Sequence, residues 1–215
     1  MTTLELQKMA NEVRKGIVTA VHSAKAGHPG GSLSCTDILS ALYFGGVLNH
    51  NPENPEDDAR DRFILAKGHA APAIYATLAE AGYFPVEELK TLRKLGTRLQ
   101  GHPDSNLLPG IEVSTGSLGQ GLSIAAGMAV GFKLDDAPNR VFTVMGDGET
   151  EEGQVWEAAT FAAHQNLGNL IAIVDLNGLQ IDGHVEDVCA SGTLAGKFAA
   201  FGWEVHEVNG HDMDA

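Results

Sequence analysis

Val141-Phe142-Thr143-Val144-Met145-Gly146-Asp147-Gly148 is the stretch on which the fold turns. Its first five residues form a short, nearly continuous apolar run rich in β-branched side chains. Such a run suits a strand buried on both faces, which is the situation in parallel sheets. The same texture returns at residues 170–174, and between the two runs residues 152–167 carry a helical pattern closed by Gly168. Strand, helix and strand in that order form a βαβ unit. The reading is therefore an α/β fold, mainly a parallel sheet with helices on both faces. Farther on, residues 194–201 read as a helix and residues 203–208 as another strand.

Upstream, Leu6, Met9, Val13, Ile17, Val21 and Ala24 recur at helical spacing, and Gly27 with Pro29 supplies the stop. Residues 33–47 predict a second helix, and helical patterns return at 72–81 and 86–95. Residues 49–61 are rich in Asn, Pro, Asp and Glu and read as a solvated loop, including the acidic run 53–61. With neither internal repeat nor Pro-, Gly- or Ser-rich linker, residues 1–215 read as one domain. The last expected strand lacks a helix to cover it, so the fold is expected to continue past residue 215.

The formal net charge is −14, from 14 Lys and Arg against 28 Asp and Glu, with no basic stripe. That balance argues against nucleic acid, whose binding depends on clustered cations. No apolar stretch approaches a membrane span, and the amino-terminal residues lack the pattern of an export signal. Cys35 and Cys189 sit in no metal or redox spacing and read as buried structural thiols of a cytoplasmic protein.

Gly146-Asp147-Gly148 alone is more often a turn than a ligand site. The second run, however, leads into Asp175-Leu176-Asn177, which puts another oxygen ligand at the carboxyl edge of a neighbouring strand, where open parallel sheets bind ligands. Asp147 and Asn177 suit Mg²⁺, which takes oxygen ligands from a few protein groups together with phosphate and water. Asp147-Gly148-Glu149-Thr150 also looks like an Asp-Gly-x-Thr phosphatase element, but Met145 stands where that element needs its nucleophilic Asp.

The pairing of Gly-Asp-Gly with Asn177 about thirty residues later resembles a thiamine-diphosphate fingerprint. Gly27-His28-Pro29-Gly30-Gly31, Lys67-Gly68-His69-Ala70, Gly101-His102-Pro103, Thr115-Gly116-Ser117-Leu118-Gly119-Gln120-Gly121 and the segment from Leu176 through Asp182 to Gly183 resemble transketolase motifs, in transketolase order. The resemblance covers nearly the whole chain. It implies that Asp147, the Asn177 side chain and the Leu179 carbonyl hold Mg²⁺, and that Gly148 meets the diphosphate. It further implies that His69, Gly116, Ser117 and Leu118, with Asn177, line thiamine diphosphate, while His28 and His102 face the substrate as catalytic residues.

The implied activity is transfer of a two-carbon ketol unit from a ketose phosphate to an aldose, as in the pentose phosphate pathway. Alternatives are a deoxyxylulose-phosphate synthase-like enzyme and a non-catalytic cofactor-binding subunit. Full-length transketolases usually have Pro at the position of Ser117, and the Ser form looks closer to relatives divided between two polypeptides. The glutamate that activates the aminopyrimidine belongs, in the family, to a separate pyrimidine-binding domain. The implied partners are therefore sugar phosphates and a C-terminal transketolase subunit or domain, in a homodimer or heterotetramer. Glu152 and Glu157 fall near the family's subunit interface. Ser117 and Gln120 also match a capping box for the helix that follows, and Glu149, Glu151 and Glu152 suit the first turn of a helix. His22, His50, His164, His184, His206 and His211 are read as structural or surface residues.

Overall fold

The computed structural model describes residues 1–181, 183–189 and 192–215, which form two compact units. One comprises residues 1–61, 68–116 and 209–215, and the other residues 62–67 and 117–208.

The first unit is helical. Helix α1 (Thr3–Ala24) starts from a capping box in which Thr2 and Glu5 satisfy each other's backbone N–H groups, and it ends at Lys25 in the left-handed conformation. Its core stripe is Leu6, Ala10, Val13, Gly16, Ile17 and Ala20. The predicted stripe is thus right in period but rotated slightly, because Ala10 and Ala20 allow closer approach than Met9 and Val21. The single helix predicted over 33–47 is two, α2 (Pro29–Ser34) and α3 (Thr36–Phe44), broken at Cys35. Helix α4 (Ala71–Glu80) is buried along Ala71–Ala79, and residues Val86–Thr91 form a 3₁₀ segment rather than a full helix. The 53–61 loop is less solvated than its composition suggests. Asp61 is buried and accepts the Asn49 N–H at 3.0 Å, and Arg60 pairs with Glu112 at 2.8 Å.

The second unit carries the predicted parallel sheet, in the order β1 (Arg62–Leu65), β2 (Val141–Gly146) and β3 (Leu170–Asp175). Strand β1 goes unrecognised in the sequence reading, because its four residues merge with the preceding polar loop. Central β2 is buried throughout, in keeping with its nearly continuous apolar texture. Helix α5 (Gln120–Leu134) lies against the sheet, and α6 (Gly153–His164) connects β2 to β3. Beyond β3 come the small antiparallel pair β4 (Leu179–Gln180) and β5 (Gly183–His184), then α7 (Val185–Cys189) and α8 (Leu194–Ala200).

Residues 203–208 are not a strand. Trp203 is anchored instead, its ring edge-on to Phe198 and its indole N–H donating to the Ala159 carbonyl at 3.0 Å. A strand needs a neighbour to complete its ladder, and residues 204–208 are exposed. No described helix is long and apolar enough to cross a membrane.

Candidate functional site

Parallel pairing aligns strand ends, and the β2–β3 register sets Gly146 opposite Asp175. The chain leaves β2 through Asp147, whose N–H donates to the Asp175 carbonyl at 3.3 Å. One Asp147 side-chain oxygen accepts the Gly148 N–H at 2.9 Å and the other the Gly178 N–H at 2.6 Å. The second bond draws the turn after β3 against Asp147, so that Asn177 and Leu179 flank it. Asn177 is exposed, and its Oδ1 accepts the Leu179 N–H at 2.9 Å.

Asp147 is only 2% exposed, and among the described residues it has no cationic partner. Two N–H groups orient its carboxylate without neutralising it, so a buried negative charge is left that a bound cation would compensate. The nearby donors are hard oxygens, which favours Mg²⁺ over softer metals. Among the described residues no group of three or more His, Cys, Asp or Glu side chains is placed to hold a metal. Asp182, in the same sequence motif, lies outside the described residues.

Three neighbouring residues matter more than their sequence context suggests. Lys67, just past β1, is 1% exposed and pairs with Asp175 at 2.6 Å; Asp175 in turn accepts from Asn177 Nδ2 at 3.3 Å. Glu149, predicted to favour a helix start through its charge alone, is buried and accepts the Gly119 N–H at 3.0 Å and the Gly146 N–H at 3.2 Å. Burial pushes its carboxyl above the usual range, against those two N–H groups and the Lys67 charge. The missed signal is the run Phe63-Ile64-Leu65-Ala66, which identifies β1 and so puts Lys67 at a strand end.

The expected capping box at Ser117 and Gln120 is absent: Gly119 is the N-cap, at φ 85°, and no side chain caps it. Glu149 takes the Gly119 N–H instead, from another segment of the same unit. Ser117 and Leu118 are exposed just ahead of this turn.

In the helical unit, His28 and His69 lie edge to face with ring centroids 5.4 Å apart. Gly68 and Gly116 bring their loops together, since a Cβ on Gly68 would lie 2.6 Å from the Gly116 nitrogen. Gly116 is at φ 142°, and a Cβ there would lie 2.9 Å from His102 Cδ2. His28, His69, His102 and Gly116 are thus gathered within one unit. The pKa of His102 is lowered by partial burial, then by the Arg93 charge and by His28. A cation beside an imidazole disfavours the imidazolium, so Arg93→Gln is expected to raise the His102 titration midpoint in an NMR pH series; an unchanged or lower midpoint counts against that coupling.

Of the histidines read as structural, His50 contacts the Tyr43 carbonyl at 2.9 Å, and His211 meets Asp37 at 2.7 Å beside an Arg14–Asp37 ion pair. Glu152 and Glu157 are exposed.

Residues 6–215 match the family model described as "Transketolase, thiamine diphosphate binding domain". The chain is 46% identical over 211 residues to the 6-deoxy-6-sulfo-D-fructose transketolase subunit SqwG of Clostridium sp. (strain MSTE9), covering 98% of this chain and 76% of that protein. It is also 46% identical over 212 residues to a subunit of the apulose-4-phosphate transketolase of Phocaeicola vulgatus, covering 99% of this chain and 74% of that protein. The crystal structure of transketolase from Campylobacter jejuni superposes with a TM-score of 0.93 at 36% identity, covering all of this chain and 34% of that one. The chain therefore spans about a third of the length of that solved enzyme.

Proposed function

This chain belongs to the transketolase family as its thiamine diphosphate binding domain, and on that premise we propose that it works with a second polypeptide to transfer a two-carbon ketol unit from a ketose phosphate to an aldose. The observation that carries the site assignment is Asp147, a buried carboxylate without a cationic partner among the described residues and bonded to the turn that presents Asn177. Residues 1–215 serve as the diphosphate-binding domain. Asp147, the Asn177 amide and the Leu179 carbonyl hold Mg²⁺, and Gly148 meets the diphosphate. His69, Gly116, Ser117 and Leu118 line the cofactor.

Thiamine diphosphate, when bound, supplies the carbanion chemistry. The protein's own work is to orient it and to move protons at sugar hydroxyls. His28 and His102 suit that second task, since an imidazole both donates and accepts hydrogen bonds. Partial burial, the Arg93 charge and His28 lower the pKa of His102, which favours its neutral form.

The Clostridium and Phocaeicola relatives support a divided enzyme, as each is itself one subunit of a transketolase. The partner supplies the pyrimidine-binding domain in a heterotetramer, or in a homodimer if both parts share one polypeptide, with Glu152 and Glu157 at the interface. Sugar phosphates are charged and do not cross membranes unaided, which places the enzyme with them in the cytoplasm.

The test is reconstitution. Ketol transfer is measured with a ketose phosphate donor, an aldose acceptor, excess thiamine diphosphate and Mg²⁺, using this chain alone, the cognate pyrimidine-domain polypeptide alone, and both together. Turnover is expected only in the mixture. A rate for the chain alone comparable with the mixture would sink the divided-site reading.

A further inference from the structure

We propose that Lys67 and Asp175 are positioning residues that orient the Asn177 amide, so that its oxygen rather than its NH₂ group faces the cation. The inference rests on the metal assignment of Asp147 and Asn177 made above.

An amide side chain can be turned end for end with little change of shape, but only its oxygen ligates a metal. The turn after β3 contains a device that selects one orientation. The Asp175 side chain is buried and ionically paired with Lys67 at 2.6 Å, the two side chains being 8% and 1% exposed. A carboxylate held in an ion pair is an acceptor only, so the group that Asn177 turns toward it must be a donor. Nδ2 lies 3.3 Å from Asp175 Oδ2, and Oδ1, on the opposite branch of the amide, accepts the Leu179 N–H at 2.9 Å. Both contacts favour the same orientation, and Oδ1 keeps a second lone pair for a cation.

Lys67 does two things here. Its ammonium group lies 2.6 Å from the Asp175 carboxylate and compensates a charge that would otherwise add to that of Asp147 beside it. It also joins the ends of the outer strands, since Lys67 follows β1 and Asp175 ends β3, with β2 and its Asp147 between them. Outer-shell partners that aim a ligand typically contribute tenfold to a hundredfold in metal affinity.

The test measures the Mg²⁺ concentration at which thiamine diphosphate binding is half-saturated, by calorimetry on this chain assembled with its pyrimidine-domain partner. Asp175→Asn, which lets residue 175 donate as well as accept, is expected to raise that concentration about tenfold or more. Asn177→Asp supplies a ligand with two equivalent oxygens that needs no orienting. In that background Asp175→Asn is expected to cause no loss, and relief of carboxylate repulsion can turn the effect into a gain. Equal losses in both backgrounds would mean that Asp175 is only structural, and wild-type Mg²⁺ dependence for Asp175→Asn would remove its orienting role; either overturns the proposal.

The pair Lys67→Met with Asp175→Asn removes both charges together and leaves no unpaired buried ion, so the comparison can be repeated in a chain that keeps its fold. The same loss is expected there. Asp147→Ala separates the two levels of inference. If it leaves Mg²⁺ dependence intact, the metal assignment fails and the proposal falls with it. If it abolishes the dependence while the Asp175 variants are silent, only the proposal fails.

Discussion

Asp147→Ala is expected to lower the apparent affinity for thiamine diphosphate in the presence of Mg²⁺ by about a hundredfold or more. Loss of an outer-shell partner alone costs up to about that factor, and Asp147 is the one charged protein ligand assigned to the ion. The substitution also breaks the bonds from Gly148 and Gly178, so the turn bearing Asn177 loses its tether to the end of β2. Asp147→Asn sharpens the measurement, since it keeps the size of the side chain and removes its charge. Calorimetric titration of cofactor with and without Mg²⁺ should show a large metal effect in the wild type and little in either variant. Wild-type affinity in Asp147→Ala would rule out the metal assignment.

The second large effect is on stability. Lys67→Met removes one side of the buried Lys67–Asp175 ion pair, and breaking such a pair from one side costs about 3–5 kcal/mol. Adding Asp175→Asn removes the stranded charge, so the double variant should recover most of the loss. Urea unfolding of the four proteins in this cycle supplies the coupling free energy. Simple additivity of the two single effects would show that the 2.6 Å contact carries no energetic coupling.

The elements most legible in the sequence are those with a strong period or an unbroken apolar texture. Helix α1 declared itself through six spaced apolar positions, and β2 and β3 through runs with no polar face. Strand β1 was hidden because four residues are too few to show a period, and the split between α2 and α3 because hydrophobic spacing continues across Cys35. Residues 203–208 look like a strand and are not one: Trp203 is satisfied by α6 and α8, and no described neighbour extends the sheet to its successors. The residues of the candidate site stood out as motifs, since Asp147, Asn177 and the three histidines each stand in a recognisable setting. The apparent capping box at Ser117 was misleading because a side chain far away in sequence reached the helix start.

Sequence alone determined that this is a parallel α/β protein of the transketolase family with Asp147 and Asn177 placed after two strand ends, because hydrophobic texture, glycine placement and motif order are local or one-dimensional properties. Only the tertiary structure decided which charges are paired. Lys67 and Asp175 are separated by 108 positions and meet because β1 and β3 flank the same central strand. Asp147, beside them, is left without a cation among the described residues. A carboxylate in the sequence says nothing of its burial or its partner. Those depend on which chain segments the sheet brings together, and they separate the acid that props up the turn from the acid assigned to the metal.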